Sequence, residues 1–201
     1  MVLVVGTAVA AGQTASVPPD DPASAAAYRP ITPRQRFNWF VDNTVGPETL
    51  TMGLFSAGFG TAINHPKEYG THWDGFGKRY GMRLTGVSTG NAMEAGLGAI
   101  WGEDPRYRYS REVGEPLKDR ARHVAIMTFL ARNRQGHLMP AYARYISTPG
   151  SSFLSNTWRA DSEATTGAAL LRTAWGFLGL MSKNAFAEFW PDIERHAFHG
   201  R

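Results

Sequence analysis

Apolar and polar residues do not alternate with period two anywhere along the chain. The apolar positions fall instead in helix-length runs separated by proline, glycine and capping residues. Thr32-Pro33 reads as an N-cap followed by proline at the first helical position, opening PRQRFNWFVDN. Val45-Gly46-Pro47 closes that helix and opens PETLTMGLFSAGFGTAIN. A longer segment over residues 73–101 stops at Gly102, and Glu115-Pro116 starts PLKDRARHVAIMTFLAR, which closes at RNRQG. Residues 140–158 read as short helical pieces broken at Ser147-Thr148-Pro149-Gly150. Asp161 or Ser162 caps a last long helix to Trp190, and Pro191 begins a final turn. These signals predict an all-α, compact, single-domain helical bundle over residues 31–201.

Within the third segment, Gly77, Gly81, Ser88, Ala92, Gly96 and Ala99 recur at close to 3.6-residue spacing and form a ridge of small side chains. Gly86 and Gly90 add a parallel pair. Each interior glycine costs a helix about 1 kcal/mol against alanine. The ridge therefore predicts a compensating close approach by a neighbouring helix, by another copy of the chain or at a membrane. SAGFGTA and TAWGFLGLM supply similar surfaces.

The N-terminus adds a localisation. VLVVGTAVAA at residues 2–11 is a short apolar run, followed by small residues to Ala15 and then by SVPPDDPASAAAYRP. That order matches the hydrophobic and cleavage regions of a secretory signal, although no Lys or Arg precedes it. Residues 1–15 are expected to be a signal peptide and residues 16–30 a flexible linker. The run is shorter than the roughly 20 residues needed to span a bilayer.

At 201 residues, 43% hydrophobic and 19% charged, the chain has the composition of a globular domain. It has no cysteine, which removes disulfides, zinc-thiolate sites and thiol nucleophiles. The formal net charge is +4, unevenly placed: residues 78–144 hold twelve Lys or Arg against six Asp or Glu, while residues 1–77 hold four against six. Lys78, Arg79 and Arg83, then Arg106, Arg108 and Arg111 in DPRYRYSR, are candidate anion-binding residues, with Lys118, Arg120 and Arg122 close behind. Arginines beside tyrosines suit phosphate or carboxylate recognition. In an exported protein such partners are anionic lipid headgroups or envelope polymers, not nucleic acid.

Catalytic signatures are lacking. GFGKRYG fails as a P-loop, since counting back from Gly77-Lys78 gives His72 where glycine is required and Arg79 follows the lysine. It fails as a dinucleotide fingerprint too, because Gly75, Gly77 and Gly81 are spaced G-x-G-x-x-x-G with no strand before them. His65, Glu68 and His72 would share a helical face, but Pro66 and Gly70 interrupt it; Glu194, His196 and His199 lie at the frayed C-terminus. His123, inside HVAIMTFL, reads as a hydrogen-bonded core or interface histidine. Asp74 and Glu94 stand about 30 Å apart on one helix, too far to act as a glycosidase pair. The sequence therefore assigns no catalytic residue, metal ligand or cofactor.

The order WDGFGKRYG, EDPRYRY, ARHVAIMTFLARNRQG, SSFLSNTW and NAFAEFWPDIERHAFH resembles a family of uncharacterised exported bacterial proteins, over about residues 37–198. That family carries an acidic residue in a T-R-x-D-x-G turn where this chain has Ala131-Arg132-Asn133-Arg134-Gln135-Gly136. The resemblance implies export and a compact helical fold and supplies no activity. Two function classes follow. One is a non-enzymatic envelope protein that packs on itself, a membrane surface or an anionic envelope component. The other is an envelope hydrolase or small-ligand carrier whose site forms only in three dimensions, for instance by joining Asp74, His72 or Glu94 to Tyr107 or Arg106.

Overall fold

The computed structural model describes residues 28–109 and 116–198, with side chains as far as Glu194. The expected signal peptide (1–15), most of the linker (16–30), Arg111 and His199 lie outside the described residues, as does the side chain of His196. The fold is all-α and compact. Its elements are α1 (Pro33–Val45), α2 (Pro47–Ala62), a 3-10 turn at Lys67–Tyr69, α3 (Trp73–Trp101), α4 (Leu117–Phe129), strands β1 (Leu130–Arg132) and β2 (Leu138–Pro140), α5 (Tyr142–Leu154), a 3-10 turn at Ser155–Thr157, and α6 (Thr166–Phe198). Helix α3 is the hub, packing against α1, α2 and α5; α5 in turn packs on α6, and α6 on α4.

The early punctuation is realised as read. Thr32 and Gln35 form a reciprocal capping box at 3.2 and 3.0 Å. Gly102, at φ 78°, ends α3 in the left-handed conformation that glycine tolerates, and Glu103 N–H donates to the Gly98 carbonyl at 2.9 Å.

Three expectations fail. Residues 130–132 leave the helix and pair antiparallel with 138–140 (Leu130 with Pro140, Arg132 with Leu138), where helix and turn were expected. The hairpin turn is held by the Asn133 side-chain oxygen, which accepts from the amides of Gln135 and His137, with Gly136 at φ 88°. Second, α5 runs unbroken through Pro149. The proline forfeits one backbone hydrogen bond, yet its neighbours are held by adjacent helices, Thr148 against Gly176 of α6 and Gly150 against Met93 of α3. Third, α6 begins later than Asp161 and passes through Pro191 without a break. Residues 160–164 form turns, and it is the Thr165 hydroxyl that accepts from the Ala168 amide at 3.1 Å.

Inside and outside are inverted relative to an ordinary soluble bundle. The buried apolar residues are mostly alanines (Ala57, Ala131, Ala141, Ala143, Ala169), with Tyr69, Val124 and Met127. Among the described residues no Leu, Ile, Phe or Trp is buried. The buried polar set includes Thr44, Arg79, Glu103, Asp104, Thr128, Arg144, Ser147, Asn184 and Glu188, and the largest fully enclosed side chains are Thr128, Ser147 and Ser155. Meanwhile Trp73 is 85% exposed, Phe55 70%, Phe59 68% and Trp175 62%. Each large apolar side chain left in water forgoes about 1.5–3 kcal/mol.

The small-residue ridge lies on the wrong side of α3 to serve as a helix-packing face. Gly77, Gly81, Ala92 and Gly96 are exposed, Ser88 is half-buried, and a methyl placed on Gly77, Gly81 or Gly96 would meet nothing within 4 Å. The glycines in close contact are Gly75, Gly90 and Gly98, on the opposite side of a 3.6-residue turn. A methyl at Gly90 would come 3.1 Å from the Ser151 hydroxyl, and one at Gly75 would collide with the carbonyl oxygens of Tyr69 and Gly70. Gly81→Ala should therefore stabilise the fold by about 0.5–1 kcal/mol. Gly75→Ala should destabilise it by about 1–3 kcal/mol. Denaturant midpoints of the two variants check this; equal and opposite behaviour to that stated would place the packed face on the ridge after all.

Candidate functional site

The segment EDPRY, between α3 and α4, is where most of the buried charge converges. Asp104, 3% exposed, accepts from the Tyr28 hydroxyl at 2.9 Å, the Arg106 amide at 3.1 Å, Arg106 Nε at 2.9 Å and Arg106 Nη2 at 2.6 Å. Arg108 approaches the same carboxylate at 3.8 Å and stacks over the Tyr28 ring at 5.0 Å. The Asp104 amide donates to the Arg132 carbonyl, tying the segment to β1. Glu103 accepts from the Ala143 amide at the start of α5, and its carbonyl accepts from Arg36 at 2.6 Å. Burial raises the pKa of Glu103, with the Ala143 amide and Arg144 opposing.

Two further clusters extend this interior. Arg144 donates to Glu94 at 3.0 Å, to the Thr128 carbonyl at 2.8 Å and to the Met127 and Pro105 carbonyls. It thereby joins α5 to α3, α4 and the EDPRY segment. Glu188 of α6 accepts from the Tyr107 hydroxyl at 2.8 Å and from Arg120 Nε at 3.3 Å, while Arg120 also pairs with Asp192. His123 Nε2 contacts the Arg108 carbonyl at 2.8 Å, an interior hydrogen bond.

The Tyr28–Asp104 contact sets a pH window. Burial, with the Asp104 charge adding to it, pushes the Tyr28 phenol up to about 12. Burial also pushes the Asp104 carboxyl up, but hydrogen bonds from Arg106 outweigh it and leave the carboxyl below its usual value. A raised phenol contributes stability below its unfolded pKa, about 10, and loses it as pH rises through about 12. A depressed carboxyl contributes above its unfolded pKa, about 3.9, and loses it as pH falls. Urea titrations across pH should show both limbs. In Tyr28→Phe the alkaline limb should flatten and the acid limb persist; an unchanged alkaline limb would contradict the assignment.

Of the six basic residues singled out by sequence, the five that are described, Lys78, Arg79, Arg83, Arg106 and Arg108, do not form one face. Lys78 is exposed and sits 3.9 Å from Asp74. Arg79 is 7% exposed, so its reading as an anion-binding residue is corrected: it donates to the carbonyls of His65 (2.9 Å), Gly70 (2.7 Å) and Pro66 (2.8 Å), stapling the irregular segment before α3. Arg106 and Arg108 share Asp104, which already supplies their counter-charge. Lys78 and the end of α3 are separated by about 35 Å of helix, so the N-terminal basic group and the DPRYRY group stand at opposite ends. Asp74 is exposed at that N-terminal end beside Lys78, and Glu94 is engaged by Arg144, so neither acid pairs with Arg106 or Tyr107 as a hydrolase or carrier site there would require.

Among the five of these residues that are described, Arg83 alone lies in a cavity with unused donors. A groove of about 370 Å³ runs between α3, α5 and α6, lined by Arg83 and Glu94 from α3, by Ser147 and Ser151 from α5, by Ser155 from the 3-10 turn after it, and by Arg172 from α6, with Arg159 also in the lining. Burial lowers the pKa of Arg83, and likewise that of Arg172, which also lies near Arg159. Sequence reading missed the serines, Arg159 and Arg172. Ser147, Ser151 and Ser155 are spaced by four and mark a polar helical stripe only if the helix continues through Pro149. A second, more apolar cleft of about 610 Å³ lies between α1 and α3, where Phe37 and Phe40 face Ala92, Gly96 and Ala99.

Among the described residues no group of three or more His, Asp or Glu is placed to hold a metal ion. No family model matches the chain, and neither curated proteins nor solved structures gave a match.

Proposed function

We propose that the protein is a non-enzymatic helical component of the cell envelope that seats on lipid through an apolar outer surface. The observation that carries this reading is α6. Leu171, Trp175, Leu178, Phe186, Trp190 and Ile193 are all exposed and share one side of the helix over about 33 Å. Four of its charged and amide side chains have partners within the protein, while Glu194 near its end is exposed. Arg172 bonds the Glu163 and Ser152 carbonyls, Lys183 reaches Asn43 at 2.7 Å and Glu48 at 3.6 Å, Asn184 donates to Thr128, and Glu188 meets Tyr107. Met52, Phe55 and Phe59 of α2, with Ile63 at its C-cap, form a second exposed stripe.

Polar residues inward and bulky apolar residues outward is the arrangement of proteins whose surroundings are lipid. Contiguous apolar patches beyond a few hundred Å² are rare on soluble monomers. Among the described residues no helix is long and apolar enough to cross a membrane, and a helix with one apolar side suits seating in the interface. The signal-like run at residues 2–11 supports placement in the envelope. Association driven by apolar area should survive a wash at about 1 M salt, where charges are screened within about 3 Å, and be released by detergent. Complete release by salt, or recovery as a monodisperse soluble monomer, would sink the proposal. Recovery as a defined soluble oligomer would assign the apolar surface to a second copy of the chain.

A further inference from the structure

The groove between α3, α5 and α6 contains guanidinium N–H groups that folding leaves without acceptors: those of Arg83, and the Nε–H of Arg172, whose terminal nitrogens bond the Glu163 and Ser152 carbonyls and Asn156. Arg83 has no hydrogen-bond or ion-pair partner among the described residues, and the one charge-bearing neighbour acting on it is the Tyr80 phenol. The Nε of Arg172 is buried and likewise unpartnered. The nearby carboxylates are already committed: Glu94 to Arg144 at 3.0 Å and Glu163 to Arg159 at 2.8 Å. A cation drawn out of water without a counter-charge is costly, so an anion that supplies the charge gains what the fold has left unmet.

The lining narrows the chemistry. Guanidinium N–H groups match the paired oxygens of a phosphate. Ser147, Ser151 and Ser155 each donate their hydroxyl proton to a carbonyl three residues back, and Ser155 Oγ also accepts from Arg159 Nε at 3.3 Å. Ser147 and Ser155 are enclosed, which leaves the Ser151 oxygen as the acceptor at the groove wall, suited to the P–OH of a monoprotonated phosphate. Trp175, Val87 and Leu180 give the groove an apolar wall next to these polar groups.

We propose that this groove is a phosphate-binding site, with Arg83 supplying the ion pair and Arg172 the neighbouring positive charge. The site does not depend on the seating of the protein on lipid. Its phosphate is either a free or soluble phosphate or the headgroup of an anionic lipid entering along Trp175.

The test is an NMR titration of the full chain, reading the arginine Nε–H resonances. The probes are inorganic phosphate and dihexanoyl phosphatidic acid below its micelle threshold, with chloride at equal ionic strength as control. A saturable shift of the Arg83 and Arg172 signals with a phosphate probe and not with chloride is expected. Response to both probes makes phosphate itself sufficient; response to the lipid alone makes the headgroup with its chains the ligand. Arg83→Gln should weaken binding, read on Arg172, by at least about tenfold. Arg83→Lys, which keeps the charge and loses the planar fork, should fall between. No saturable shift with either probe, or undiminished affinity in both Arg83 variants, overturns the proposal.

Discussion

Replacing Arg144 with methionine is expected to cost about 3–5 kcal/mol of folding stability, a large part of what a domain of this size has in hand. The loss exceeds that of a typical buried side chain because one guanidinium serves Glu94, the carbonyls of Met127 and Thr128, and that of Pro105. Removing it strands a carboxylate that is only 13% exposed and leaves the Thr128 carbonyl without this donor. Arg144→Lys should recover part of the loss, since a single ammonium keeps the charge on Glu94 without spanning all four acceptors. Glu94→Gln in the methionine background should also recover part, because the stranded charge is then gone. Denaturant unfolding of the four proteins gives the comparison. A loss below about 1 kcal/mol for Arg144→Met would mean that the polar interior does not hold the fold together.

The outer surface should respond in the opposite way. Leu178 and Phe186 are 49% and 54% exposed on the α6 stripe, so Leu178→Glu combined with Phe186→Glu should leave stability within about 0.5 kcal/mol. If the stripe is seated in lipid, the same pair removes two side chains worth about 1.5–3 kcal/mol each on burial. Partition onto vesicles should then fall by about a hundredfold or more. Vesicle flotation together with thermal melting separates the two effects. Unchanged flotation with unchanged melting would show that the stripe is not the seating surface.

This division between a polar interior and an apolar exterior explains which features could be read from the chain. The boundaries of α1, α2 and α3 were legible because they rest on local chemistry: Thr32-Pro33, Gly46-Pro47 and Gly102 act within one turn of themselves. The β1–β2 hairpin was not, because LAR and LMP are too short to show a period and become strands only by pairing with each other. Pro149 misled for a related reason, as its tolerance depends on the helices that clamp α5. The glycine ridge shows the limit of periodicity itself. Spacing finds a face, but whether that face is covered depends on the rest of the molecule, and here Gly77, Gly81 and Gly96 face open space while Gly75, Gly90 and Gly98 meet neighbours.

The charged residues show the same limit more sharply. Arg79 and Arg83 are one helical turn apart and look equivalent in sequence. One is consumed by carbonyls of the irregular segment at residues 65–70; the other reaches the groove with its donors unused. The inward charges of α6 also hide its apolar side from any average along the chain, since Arg172, Lys183 and Glu188 are counted although they face partners within the protein.

The most direct measurement of the outward-facing apolar surface is tryptophan fluorescence in vesicles whose acyl chains carry bromine, a short-range quencher. Trp73, Trp175 and Trp190 are exposed, the last two on the α6 stripe. Seating in lipid predicts strong quenching of the native protein, a clear reduction of that quenching in Trp175→Phe, and loss of most of it in the Leu178→Glu, Phe186→Glu variant. Emission that stays unquenched, at the red-shifted wavelength of tryptophan in water, would contradict it.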